Sequence, residues 1–184
     1  MRFARSPTGR QSSEEPERAL LTLVSAGDRS AMEILYVLYF ARLANFFLRL
    51  TTKRDLVDDL IIDTMVEVWK EGASLAANTS VSVAMMRLAY SFGKKRIVEP
   101  GETRPHLRHE MLDTGHDSPF STALDTASNK QDCFLNLPIE ERALLHLVYA
   151  RGHSRRDIAH IMNISCECVD VLLDDARLRR RLFQ

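Results

Sequence analysis

Between Ile34 and Leu50 the chain places Ile34, Leu35, Leu38, Tyr39, Leu43, Phe46, Phe47 and Leu50 at steps of three and four residues. A helix of about 3.6 residues per turn gathers such positions into one broad apolar stripe, and a stripe that wide must be covered by other helices. No segment of the sequence alternates with a period of two. The expected architecture is therefore all-α, with this helix at the centre of a bundle.

The other elements follow from caps and breakers. A short amphipathic helix over residues 18–25 stops near Gly27, and Asp28 is placed to cap the apolar helix. Asp55 or a neighbouring threonine starts a third helix through Trp69, with Leu56, Leu60, Met65, Val66 and Trp69 expected inward and Gly72 at its end. Trp69 and the Phe46-Phe47 pair read as core. After a loop of small residues over 73–79, Ser80 caps a fourth helix to about Val98, closing on Lys94, Lys95 and Arg96. Further on, Leu137-Pro138 puts a proline in the first turn of a helix to about Ala150, and Gly152 breaks the chain. Ser154 caps a short helix to Met162, Asn163 takes the left-handed turn, and Ser165 caps a last helix to about Leu182. Ile158, Ala159, Ile161, Ile164, Val169 and Leu173 have the spacing of a small helix-turn-helix core.

Charge divides the chain where hydrophobicity does. Lys plus Arg equals Asp plus Glu at 25 each in the 184 residues, so the total says nothing about a nucleic-acid partner. Residues 19–98, however, carry ten basic against eight acidic side chains, and residues 99–130 carry three against six, with Pro100, Gly101, Pro105, Gly115 and Pro119. The expected organisation is a disordered tail over 1–17, a helical domain over 18–98, a flexible linker over 99–128 and a second helical domain over 129–184. Cys133, Cys166 and Cys168 make no even disulfide framework, and no apolar stretch approaches the span of a membrane helix. A cytoplasmic protein without a membrane partner is expected.

Chemistry is poorly represented. No paired carboxylates, nucleophile with a histidine, glycine-rich phosphate loop or cofactor motif is visible, so neither an enzyme nor a cofactor is expected. Cys166-x-Cys168 with His160 lacks the second ligand pair of a zinc site, and His106, His109 and His116 lie in a polar linker; no metal is expected.

Two segments together resemble the extracytoplasmic-function (ECF) sigma factors of RNA polymerase. Asp58-Asp59-Leu60, followed by Val66 and Val68-Trp69, is similar to the polymerase-binding helix of region 2, and Arg87-Leu88-Ala89-Tyr90 to its promoter-melting helix. Leu137-Pro138, Arg142, Ser154, Asp157-Ile158-Ala159, residues 161–165 and Val169 are similar to the helix-turn-helix of region 4. The resemblance spans about residues 18–182. It implies core RNA polymerase and promoter DNA as partners. Polymerase would meet Asp58, Asp59, Asp63 and Glu67. The −10 element would meet Arg87, Tyr90, Lys94, Lys95 and Arg96, and the −35 element Ser165, Glu167, Cys168, Asp170 and Arg177. Without the resemblance, the acids read as a solvated helix face and the bases as a helix C-terminus balancing the macrodipole.

The chain departs from the family pattern in three places. Leu56 stands where the family carries an acid, Asp170 stands in the promoter-facing helix where the family has a lysine, and Asp174 and Asp175 replace positions often basic. Since affinity for DNA comes largely from cations on phosphates, acids on this helix oppose binding there, and Arg177 with residues 179–181 offsets them in part. A sigma-like module that binds polymerase or a regulator without reading DNA is the alternative. Some ECF subgroups are switched on by a Ser/Thr kinase, which makes Thr51 and Thr52, just before the acidic helix, the candidates; the plain alternatives are helix capping and control by an anti-sigma factor.

Overall fold

The computed structural model describes residues 8–75, 79–98, 137–150 and 152–182. Among these every regular element is helical: α1 (Thr8–Ser25), α2 (Arg29–Leu50), α3 (Arg54–Glu71) with a 3-10 turn at Gly72–Ser74, α4 (Val81–Val98), α5 (Ile139–Leu145) continued by a wider π-type turn (His146–Ala150), α6 (Arg155–Met162) and α7 (Cys166–Leu182). The segment read as a linker over 99–128, with His106, His109 and His116, lies outside the described residues, as does Cys133.

Local hydrogen bonds set the helix starts. Asp28 accepts from the amides of Ser30 (2.9 Å) and Ala31 (3.2 Å), Ser80 from Val83 (3.3 Å), and Ser165 from Cys168 (3.2 Å). Ser154 and Asp157 cap each other: the serine hydroxyl accepts from the Asp157 amide at 3.2 Å and the aspartate from the Ser154 amide at 3.0 Å. Asn163 takes the left-handed conformation between α6 and α7, at φ 54° and ψ 49°. α3 instead starts after Lys53, which makes no side-chain cap, so neither Asp55 nor a threonine begins it. Pro138 stands just before α5 rather than inside its first turn.

Helix α2 is the hub, packed by α1, α3, α4 and α5. Its residues Leu35, Tyr39, Leu43, Phe46, Phe47 and Leu50 are fully buried. Gly93 lets α4 cross it closely: an added Cβ would lie 3.0 Å from Leu50 Cδ1 and 3.4 Å from Phe47 Cε1. By length and composition α2 is long and apolar enough to cross a membrane, contrary to the sequence expectation, but half of that window is buried inside the fold. It is the core helix of a bundle.

The structure corrects four further expectations. The polar tail does not extend to Glu17, because α1 begins at Thr8 and buries Glu17, whose carboxylate accepts the Tyr39 hydroxyl at 2.7 Å and lies 3.6 Å from Arg42. Trp69 is 38% exposed, since α3 turns Val68 into the core and leaves the next residue at its edge; Leu56 and Val66 are only half-buried. Ile34 and Leu38 face solvent, because the stripe on α2 is wider than the helices that cover it. The two helical groups also share one apolar core, which runs from Phe47 and Leu50 into Leu144, Leu147, Ile158, Ile161 and Val169.

Candidate functional site

The side chains singled out by sequence fall on three surfaces. On α3, Val57, Leu60, Ile61, Thr64, Met65 and Val68 turn inward, which leaves Asp58 exposed and Asp59, Asp63 and Glu67 half-buried at the rim. Period 3.6 forces this division, since each acid sits one or more positions off the buried stripe. The acids are not equivalent. Asp59 lies 3.8 Å from Arg96 of α4, and Glu67 lies 3.5 Å from Lys70. Asp58 faces the Tyr36 phenol, whose pKa is raised by burial first and by this carboxylate second.

On α4 the five bases and aromatics expected at a promoter separate. Arg87 and Lys95 are exposed. Arg96 is engaged with Asp59, so a residue expected at DNA and one expected at polymerase meet each other. Tyr90 is buried, with its pKa pushed up to about 12 by burial and by the nearby Glu140 carboxylate. Lys94 Nζ lies 3.2 Å from Glu140 Oε1. Thus Tyr90 is not presented to solvent; α6 of the second helical group packs against α4, and Glu140 of α5 lies near the phenol.

On the helix-turn-helix, Ser165 is a cap and Asp170 is a clamp. Arg155 holds Asp170 through Nε to Oδ1 and Nη1 to Oδ2, each at 3.1 Å. Arg177 lies 3.3 Å from Asp174 and is drawn toward the Tyr149 hydroxyl. A 3.6 period places Glu167, Val171, Asp174 and Leu178 on one outer face of α7, where Val171 is 61% and Leu178 58% exposed. Cys168 and Asp175 flank that face and are exposed. The Glu167 carboxyl is held below its ordinary pKa by hydrogen bonds to its own backbone amide and to Ser165. This face is acidic and apolar.

The loop before α3 also divides. Thr51 is buried, and its hydroxyl accepts the Lys53 amide at 3.2 Å, whereas Thr52 is exposed. Cys166 and Cys168 are exposed free thiols, and no group of three or more metal-ligating side chains occurs among the described residues.

No protein-family model matches the chain, and no curated protein matches it. Solved structures do. The sigma factor RpoE from Bartonella quintana, solved in complex with the anti-sigma factor NepR, superposes with a TM-score of 0.51 at 21% identity, covering 80% of this chain and 92% of that one. The fold is that of a sigma factor. CnrH, solved in complex with the cytosolic domain of CnrY, is similar with a TM-score of 0.66 at 16% identity, covering 91% of this chain and 96% of that one. In chain order α1–α4 make up the first helical group and α5–α7 the second, which carries the helix-turn-helix of α6 and α7.

What sequence reasoning missed lies between these groups. The Arg142 guanidinium donates to the Leu50 carbonyl at 2.7 Å, and the His146 ring meets Phe46 edge-on, with centroids 5.6 Å apart. The resemblance alone marks Arg142, and no local pattern marks a carbonyl 92 residues away as its acceptor.

Proposed function

We propose that this chain is an ECF-type sigma factor that binds core RNA polymerase through α3 and directs initiation at particular promoters. The observation that carries the reading is the position of Asp58 on a sigma fold: outward on α3, on the same helix as Asp59 and Asp63, while Val57, Leu60, Ile61, Met65 and Val68 are taken up by the core. Exposed carboxylates contribute little to folding but much to docking on a basic surface. The exposed cations Arg87 and Lys95 on α4 suit the phosphates of a melted strand. The work of the protein is recognition rather than catalysis, performed in the cytoplasm. Reconstitution with core polymerase and mapping of the promoters it then occupies tests this directly; a chain that binds core polymerase yet starts no transcript would fail it.

One observation favours a second reading. The outer face of α7, where a helix-turn-helix meets the major groove, presents Glu167, Val171, Asp174 and Leu178 instead of cations. Such a face suits a basic amphipathic helix of a protein partner, as in a sigma-like module that never reads DNA. Promoter-specific run-off transcription separates the two readings, because only the first yields a transcript.

Control by a partner fits either reading. RpoE was solved with an anti-sigma factor, and we assign this chain a partner of that class. Phosphorylation by a Ser/Thr kinase is the competing switch, and Thr52 is the hydroxyl it would use, since Thr51 is buried and occupied by the Lys53 amide. Thr52→Glu should then strengthen polymerase binding while Thr51→Glu mainly lowers stability. Equal polymerase affinity of Thr52→Glu and Thr52→Ala would leave control to the anti-sigma factor.

A further inference from the structure

Along the outer side of α7, Glu167, Val171, Asp174 and Leu178 follow one another at steps of four, three and four residues. Such steps return to the same side of a helix at every turn, so the four form one seam about 16 Å long, in which an acid alternates with an aliphatic side chain. Val169, Leu173 and Ala176 of the same helix are buried, whereas Val171 and Leu178 are more than half exposed, so the core makes no use of the seam. Tyr149 stands exposed at its border, where the hydroxyl meets Arg177. The cations that could serve a phosphate here are already opposed by carboxylates. Arg155 donates to Asp170 at 3.1 Å, Arg177 lies 3.3 Å from Asp174, and Arg179 lies 3.1 Å from the buried side chain of Glu141. Each would have to leave an acid before neutralising a phosphate, and over residues 166–179 four acids stand against two arginines.

We propose that this seam docks a basic amphipathic helix of a protein partner. The inference rests on the second reading above, in which α7 meets protein, and goes beyond it in assigning the groups. Val171 and Leu178, about two turns apart, are the apolar anchors for aliphatic side chains that recur every three or four residues on the partner. Glu167 and Asp174 take its lysines or arginines and set its register. Charge decides the occupant: an acidic helix, or the same seam of a second copy, would bring like charges together across an apolar contact.

The probe is a fluorescent synthetic helix of about 18 residues, with leucines at three- and four-residue steps and lysines beside them, titrated with the full chain and read by anisotropy. Val171→Ser together with Leu178→Ser should weaken its binding by about tenfold. Glu167→Gln together with Asp174→Asn should weaken it by about fivefold at low salt and by less at high salt. All four side chains are exposed, so both proteins should keep the helicity of the wild type by circular dichroism. A second peptide, with the same leucines but glutamates in place of the lysines, should leave the wild type unbound, and this arm needs no variant. Equal affinity of the wild type and the serine variant, or equal affinity for the two peptides, would overturn the seam as a docking site. Absence of binding to the basic peptide would do the same and leave the second reading standing. If the wild type instead selects a site from a random-sequence duplex library, and the serine substitutions weaken it, α7 reads DNA and the second reading falls with the proposal.

Discussion

Arg155, the first residue of α6, donates from Nη1 to Asp170 Oδ2 of α7 at 3.1 Å, and its Nε lies 3.1 Å from Oδ1. One charge-assisted hydrogen bond and a second close approach of opposite charges thus tie the start of α6 to α7. Asp170, which stands where the resemblance expects a lysine, thus has a partner inside the helix-turn-helix itself.

The pair is partly exposed, and its energy should be small. Asp170→Ala is expected to lower unfolding free energy by no more than about 1 kcal/mol, with a coupling to Arg155→Ala of roughly 0.5 kcal/mol. Urea unfolding of the two single variants and the double variant measures it. Strict additivity would mean that the geometry carries no energy.

Asp58 and Asp59 should separate under charge reversal. Asp58→Lys leaves the fold intact and reduces affinity for core polymerase by about tenfold or more, as loss of charge complementarity does. Asp59→Lys also faces Arg96, 3.8 Å away from the carboxylate it replaces, so it should lower stability as well as affinity. Thermal melts alongside polymerase titrations distinguish the two. Equal losses of stability would place both acids in the same structural role.

Asn163 tests the turn. At φ 54° an alanine meets the Cβ crowding that a left-handed backbone imposes, so Asn163→Ala should cost about 1 kcal/mol, whereas Asn163→Gly should be near neutral. A comparable loss for glycine, measured by urea unfolding, would point to side-chain contacts instead of backbone conformation.

Glu141 gives a pH signature. Burial raises its pKa above the ordinary carboxylate value; Arg179, 3.1 Å away, opposes the shift, and Asp175 and Glu140 add to it. Its second oxygen, Oε2, has no hydrogen-bond partner among the described residues. The folded protein therefore binds this proton more tightly than the unfolded chain. That contribution to stability is complete below the ordinary carboxylate range and is lost as pH rises through the raised value. Glu141→Gln should thus gain in stability on the wild type as pH rises through and above the ordinary carboxylate range, which urea unfolding at several pH values measures. A wild type that gains instead would show that the Arg179 pair outweighs burial.

Much of the fold was legible because it is decided over a few residues. The caps at Asp28, Ser80, Ser154 and Ser165, the left-handed Asn163 and the buried Phe46-Phe47 pair each follow from hydrogen bonds or periodicity within about one or two turns of helix. The outward acids of α3 were readable for the same reason. Glu17 was not, since an acid in a polar segment gives no sign that a tyrosine on the next helix will enclose it. Trp69 was misread because periodicity names a face but not how far the neighbouring helices reach across it.

By itself, then, the sequence determined most of the helical segments, the starts that carry a side-chain cap and the apolar side of each helix, because those properties depend on neighbours along the chain. Only the tertiary structure decided which exposed-looking groups stay exposed. Lys94 meets Glu140, Arg142 meets the Leu50 carbonyl and Arg96 meets Asp59 across elements that the chain itself leaves far apart. Charge and hydrogen bonding act through space and fall off with distance, so a side chain's partner is set by how the helices pack and not by its place in the sequence.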